Sequence, residues 1–304
     1  MGQQMFSNEF WQNSSAGYTP TTKAIVAFGS ISGTKQNISN LVSSSGVVGS
    51  DVTGVGTARG FPACTTFGID RCVFYTGQTG SNLNATNLVS NEGVVATDAS
   101  GVGTGRYAAK GTTYGTDTAV VAYGWAGSAA TISNLINNAG LVAADITLVG
   151  TARFWPIGVA YGEDKGIFAF GDQQYSPRHN MRNLVSNTGV IASDVTGAGT
   201  TRGSAASCTY GDDKAIVVYG YNGSAVNASN LISNTGVVGS DVSGVGTARW
   251  GHTGAGYGSD KGIITTGETT STTNLVSNSG VVASDVTQVG TSRQDASAGG
   301  YSIT

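Results

Sequence analysis

Few residues in this chain are equipped for acid–base, nucleophilic or metal chemistry. Among its 304 residues, only His179 and His252 have side chains that ordinarily change charge near neutral pH. Cys64, Cys72 and Cys208 are odd in number and lack metal-ligand spacing. Cys64 and Cys72 could face each other across a hairpin. With no sign of secretion, however, buried free thiols are the expected state. The Gly-x-Gly pieces, such as Gly54-Val55-Gly56, open no helix and so form no phosphate loop. Lys and Arg number 15, and Asp and Glu 18, for a net charge of −3. That balance gives no basic footprint for nucleic acid and no cationic face for an acidic membrane. No apolar run approaches the roughly 18 residues needed to span a bilayer. The chain is expected to be non-enzymatic, with no catalytic residue, cofactor or metal.

The elements that position these groups come from an internal repeat. The segment Asn230-Leu231-Ile232-Ser233-Asn234-Thr235-Gly236-Val237-Val238-Gly239-Ser240-Asp241 recurs, with small changes, from Asn40, Asn87, Asn134, Asn183 and Asn274. Every copy runs on to an arginine: Arg59, Arg106, Arg153, Arg202, Arg249 and Arg293, at spacings of 47, 47, 49, 47 and 44 residues. Of the 33 charged residues, 22 sit at repeated positions. What recurs in every unit serves every unit, as turn hydrogen bonds from Asp and as arginine bonds to backbone or carboxylate. The unrepeated charges, among them Lys110, Asp172, Arg178, Arg182 and Asp295, form no close carboxylate pair in the sequence.

Each unit parses into four short strands. A small-residue strand such as Ala205-Ala206-Ser207-Cys208-Thr209-Tyr210 follows the arginine. The turn Gly211-Asp212-Asp213-Lys214 then leads into Ala215-Ile216-Val217-Val218-Tyr219-Gly220. A variable loop, the Asn-Leu-Ile-Ser strand and an outer Val-Val strand complete the unit. Val, Ile, Thr and Tyr favour strands, while Gly and Asn favour tight turns. Four strands in roughly 47 residues match one propeller blade. The fold class expected is all-β: a six-bladed β-propeller with four antiparallel strands per blade. A solenoid is the rival architecture.

In this strand order the chain resembles the kelch family. It has the small-residue inner strand, an apolar strand ending in glycine, an Asn-bearing strand and a closing arginine. A single glycine (Gly29, Gly77, Gly124, Gly171, Gly220, Gly267) stands where kelch repeats carry two. Leu and Val replace the kelch Tyr and Trp of the outer strands. The near-identical Gly-Val-Val-Gly-Ser-Asp-Val-Thr-Gly-Val-Gly-Thr-Ala-Arg units also resemble those of tail or capsid proteins in marine bacteriophages. That resemblance implies a virion component whose expected partners are other virion proteins or a host-surface receptor, with copies of itself as a further expected partner. The alternative is a soluble, cytoplasmic kelch-type adaptor for a peptide or protein, with a carbohydrate-binding propeller further behind.

Seven small-residue segments serve six sets of the other three strands, so one terminal segment must complete the first unit. Ala296-Ser297-Ala298-Gly299-Gly300-Tyr301 keeps the arginine before it and is favoured over Asn13-Ser14-Ser15-Ala16-Gly17-Tyr18. Residues 21–304 then form one propeller, leaving 1–20 as an attachment arm or an extra inner strand. The variable loops and the residues just past each arginine fall on one face. That face carries the candidate binding residues Trp125, Phe154, Trp155, Tyr175, Arg178, His179 and Trp250, with Phe61, Tyr107, Tyr221 and His252 nearby. Such aromatics either mark a recognition surface for proteins or sugars, or fill the mouth of the channel.

Overall fold

The computed structural model describes residues 20–173, 178–267 and 271–304. Among them there is no helix, and the chain is all-β. Six antiparallel sheets of three or four strands follow one another, together with a small ribbon pairing Ser30–Ile31 with Thr34–Lys35. Sheet 1 joins Lys23–Ala27 to Ser39–Val42 on one side and to the C-terminal strand Ser297–Tyr301 on the other. In that last pairing, Lys23 lies opposite Tyr301 and Ala27 opposite Ser297. Sheet 2 runs Ala63–Phe67, Arg71–Gln78, Asn82–Val89, and sheet 3 runs Lys110–Tyr114, Thr118–Ala122, Ile132–Ile136, Ile146–Thr147. Sheet 4 is Ile157–Tyr161, Lys165–Ala169, Arg182–Val185, and sheet 5 is Ala206–Tyr210, Lys214–Tyr221, Ala225–Ile232. Sheet 6 is Thr253–Tyr257, Lys261–Thr265, Thr272–Val276, Val286–Thr287.

Past its first residue, the second strand of every sheet is largely apolar and buried, as a strand covered on both faces must be. Its side chains interleave with those of the neighbouring sheet. Ile216 and Val218, for example, cluster with Ile264 and Val276 of sheet 6. The first strands are rich in Gly, Ala, Ser and Thr because they approach one another. That of sheet 2 lies against those of sheets 1 and 3, and the neighbour relation continues to sheet 6, whose first strand meets Ser297–Tyr301 of sheet 1. All six line one cavity.

The repeated arginines fasten sheet to sheet. Arg59, Arg106, Arg153, Arg202 and Arg293 are almost wholly buried. Besides a bond to the carbonyl two residues before it in its own crossing, the guanidinium reaches into the next sheet. Arg59 Nη2 donates to Asn87 Oδ1 (2.6 Å), Arg202 Nη2 to Asn230 Oδ1 (2.5 Å) and Arg249 Nη2 to Asn274 Oδ1 (2.6 Å). The asparagine donates in turn to an aspartate, as Asn230 does to Asp241 Oδ1 (2.9 Å). That aspartate also accepts the backbone N–H of a threonine lying two residues before the arginine, as Asp241 does from Thr200 (2.9 Å). Arg293 and Thr291 of the last unit make the same clasp onto Asn40 and Asp51 of the first. Arg106 departs from the pattern, donating to the carbonyls of Tyr123 (2.8 Å) and Val121 (3.4 Å).

The outer fourth strand is reduced. Sheets 3 and 6 have it, two residues long. In sheets 1, 2, 4 and 5 its counterpart is an isolated bridge, Ser39 to Val52, Thr86 to Ala99, Arg182 to Val195 and Ser229 to Val242. The difference lies three residues before the repeated asparagine. Asn37, Asn84, Asn180 and Asn227 stand there in the four bridged sheets, and their amides donate to carbonyls of the outer segment. Opposite them sit Gly54, Gly101, Gly197 and Gly244, where any Cβ would overlap the asparagine carbonyl. Sheets 3 and 6 carry Thr131 and Ser271 instead, opposite Leu148 and Gln288, and the backbone ladder continues from Leu148 N–H to Thr131 O and from Gln288 N–H to Ser271 O, each 2.8 Å or less. Gly244→Leu alone is therefore expected to destabilise the protein by about 1–3 kcal/mol. Adding Asn227→Thr should restore most of that loss. Denaturant midpoints that are additive in the double variant would show that the two positions are uncoupled.

Candidate binding face

Among the described residues, two positions in five of the units build this face: the residue after the arginine and the residue after the strand-ending glycine. Backbone bridges hold them side by side, Gly60 with Gln78, Tyr107 with Trp125, Phe154 with Asp172, Gly203 with Tyr221 and Gln294 with Ser30. The scaffold is the same from sheet to sheet, and only the side chains change. In the middle units they are aromatic, and they touch. Trp125 meets Phe154 edge-on at 5.1 Å between ring centres, and Phe154 lies 4.8 Å from Trp155. Trp155 lies 6.0 Å from Phe61, which is itself 5.4 Å from Tyr107. Lys35 caps Phe61, its ammonium 4.9 Å above the ring.

A polar link continues the arc. The Arg178 guanidinium stands 3.6 Å from Asp172 and 4.8 Å above the Tyr221 ring, which packs on Trp250 at 5.6 Å. Trp125, Phe154, Trp155, Arg178, His179 and Trp250 are all half-buried, neither submerged in the core nor standing free. Tyr175 lies outside the described residues. His179 is held by its backbone, its N–H donating to Gly171 O at 2.9 Å. Burial, with Arg153 nearby, pulls its imidazole below the ordinary histidine value.

Inside the arc is the mouth of the cavity. The second residue after each arginine lies on it: Phe61, Ala108, Trp155, Ser204, Gly251 and Asp295, every one at positive φ between 51° and 67°. For side chains as large as Phe and Trp that conformation is strained. Its recurrence in all six units marks it as the turn by which the chain passes into each first strand. Backbone bonds run head to tail around the mouth. Phe61 N–H donates to Asp295 O (2.8 Å), Ala108 to Phe61 (3.1 Å), Trp155 to Ala108 (2.9 Å), Ser204 to Trp155 (3.3 Å) and Asp295 to Gly251 (2.8 Å).

His252, weighed as a general base from sequence, is part of the scaffold. Its ring inserts between sheet-5 strands, with Nε2 3.2 Å from the Ala206 N–H and 3.0 Å from Val218 O. Burial drives its pKa down to about 3, so it stays neutral. The three cysteines are free and buried. Burial pushes the Cys72 and Cys208 thiols well up, away from the thiolate that nucleophilic chemistry needs.

The sequence marks Lys110 only as a charge outside the repeat. The structure puts it first in its strand, with its side chain in the cavity mouth beside Phe61, Trp155, His252 and Asp295. Aligning the units by their arginines would have exposed it, because the equivalent residues are Ala63, Ile157, Ala206, Thr253 and Ser297. Compared with protein-family models, the chain matches none. Compared with curated proteins, it also matches none.

Asp172 is the most perturbed acid on this face. Burial pushes its carboxyl up to about 6, with Arg178 pulling the other way, and Oδ1 has no hydrogen-bond partner among the described residues. Its folded value exceeds the ordinary one near 4, so ionisation opposes folding. The opposition is absent below pH 4 and complete above pH 6. Asp172→Asn is thus expected to be more stable than the parent by about 2 kcal/mol at pH 8, and the advantage should vanish at pH 4. Equal differences in denaturant stability at both pH values would contradict this.

Proposed function

We propose that the six sheets are the blades of a six-bladed, kelch-like β-propeller, and that the protein is a non-enzymatic binding and structural component of a bacteriophage virion. Three features support the architecture. The six first strands share one cavity, the strand after Arg293 pairs with the first apolar strand, and the last unit clasps the first as each unit clasps its neighbour. Removing residues 296–304 takes away that closing strand but keeps Arg293. The truncated chain is expected to aggregate or to lose its cooperative melt. A truncated chain melting like the parent would overturn the closed-ring reading.

The aromatic arc carries the functional reading. Positions that are structurally equivalent hold Gly60, Gln78, Gly203 and Gln294 in some units and Tyr107, Trp125, Phe154 and Tyr221 in others. The fold therefore has no need of rings there, whereas aromatic groups at a partner interface contribute strongly to attachment. A second feature fits an assembled setting. Val47, Val94, Leu141, Val190, Val237 and Val281, at one repeated turn, are each more than half exposed. Apolar side chains displayed once per unit around the molecule are suited to burial against neighbouring virion proteins. The His252 ring is occupied as a strand spacer, and burial holds the Cys72 and Cys208 thiols protonated, which fits a role in binding.

The rim is expected to contact another virion protein or a host-surface receptor. Trp125→Ala and Trp250→Ala should each leave the melting temperature within about 4 °C of the parent, a loss of roughly 1 kcal/mol. Incorporation into particles, read by antibody labelling of purified phage, should fall at least tenfold. A parent chain recovered only outside the particles would overturn the virion placement, and misfolded variants would return the rings to the core.

A further inference from the structure

The first unit departs from its own repeat at the turn after the strand Ser39–Val42. Five units place an asparagine second in that turn: Asn91, Asn138, Asn187, Asn234 and Asn278. In four of them its amide donates to an aspartate at the hairpin between the first two strands of the same sheet, as Asn234 does to Asp213 (2.8 Å) and Asn278 to Asp260 (3.0 Å). The first unit has Ser44 in that place, and Thr22 where the aspartate belongs. The short serine leaves a gap against sheet 6. That gap is a groove of about 500 Å³, walled by Tyr257, Leu275 and Val281 on one side and by Ser44 and Ser45 on the other. An open hollow floored by apolar side chains is a site for burying something of like character.

The beginning of the chain arrives at the same groove. The N–H of Gly258, directly after Tyr257, donates to Thr22 O (2.8 Å), and that of Ser259 to Thr21 O (3.3 Å). A Cβ on Gly258 would come within 3.0 Å of the Ser44 carbonyl. At the matching contact between sheets 5 and 6 the acceptor belongs to a closed hairpin, where Gly211 N–H meets Asp260 O (2.8 Å). Here the chain comes in instead from 19 preceding residues, which lie outside the described part. They include Met5, Phe6, Phe10 and Trp11, with Glu9 as their one charged side chain. Trp11 is ten residues from Thr21, a reach of up to roughly 33–36 Å. So short a tether holds the two at an effective concentration on the order of millimolar. We propose that residues 5–11 dock in the groove between sheets 6 and 1, with Phe10 and Trp11 against Leu275 and Val281. This cover takes Val281 from display and leaves Val94, Leu141, Val190 and Val237 exposed. Groove and segment belong to one chain, so the inference does not depend on the virion reading.

Fluorotryptophan labelling tests this on the full chain. It gives one fluorine signal for each of the four tryptophans, Trp11, Trp125, Trp155 and Trp250, and Trp11→Phe identifies the first. A soluble nitroxide broadens the signals of exposed rings. The Trp11 signal is expected to be protected in the parent and to broaden like free tryptophan in Val281→Asp. Val237→Asp, at the same repeated position one unit earlier, should leave it protected. The other three signals report whether each variant is folded. A Trp11 signal that is broadened in the parent, or still protected in folded Val281→Asp, overturns the proposal. Photoreactive benzoylphenylalanine in place of Phe10 supplies an independent reading, in a mixture of light and isotope-heavy chains. Cross-links to residues 257–283 of the same chain support the docking. Links joining light to heavy chains would give the groove to a second copy. That result overturns the proposal, as do links elsewhere or none at all. Should Val281→Asp fail to fold, the cross-links decide the question.

Discussion

The arrangement of the sheets rests on a guanidinium held between two of them. A buried arginine is costly unless its donors are answered. Here the answer comes mostly from the neighbouring unit. The Arg202 fork meets Asn230, with Asp241 3.6 Å away, while its face lies 4.4 Å over the Phe170 ring of its own unit. Planarity makes this possible, since one side chain can stack on an aromatic ring and still donate along its edge. A lysine could not do both. The aspartate completes the unit by taking the threonine N–H. Desolvation works to raise its carboxyl, but the threonine and asparagine hydrogen bonds and the arginine charge outweigh this and hold Asp241 below the ordinary value. The aspartate of the clasp therefore stays ionised at all but strongly acidic pH.

Because each clasp reaches only the next sheet, cohesion is passed between neighbours, as in other repeat architectures. Two consequences meet at the centre. The first strands are drawn close enough that small residues become obligatory: a Cβ at Gly158 would press on the Gly111 carbonyl, and one at Gly254 on the Ser207 carbonyl. The chain must also turn sharply after every arginine, which forces six consecutive crossings into the left-handed region and aligns their peptide groups around the mouth. Rim and mouth are thus by-products of the way the sheets are tied, later furnished with whatever side chains a unit supplies.

The all-β class, the apolar second strands and the repeated arginines could all be read from the sequence, because each rests on periodic patterns that local chemistry dictates. The fourth strand could not. Its length turns on whether the residue three before Asn40 and its equivalents is Asn or Thr/Ser, a choice that trades a side-chain amide for a backbone ladder. The aromatic positions beside the arginines were visible as well. Their degree of burial was not, since Trp155 and Phe154 depend on rings from two other units. Lys110 was hidden because a charge surveyed against its chain neighbours resembles any other surface lysine. Only its phase within the repeat shows that it faces the lumen.

The five head-to-tail hydrogen bonds around the mouth use main-chain atoms alone. A residue of almost any size can therefore occupy one of the six mouth places without breaking the hydrogen bonds of the others, as Phe61, Ala108, Ser204 and Asp295 already demonstrate. The frame is indifferent to the letters written on it. Variation at one unit's mouth residue leaves the main-chain bonds of the next in place, while rings that meet across units, such as Phe61 and Trp155, stay coupled through their contact. Near-identical repeats and a strongly individual mouth are then two results of the same economy. The clasp recurs from unit to unit with little change, and the six letters it encloses differ.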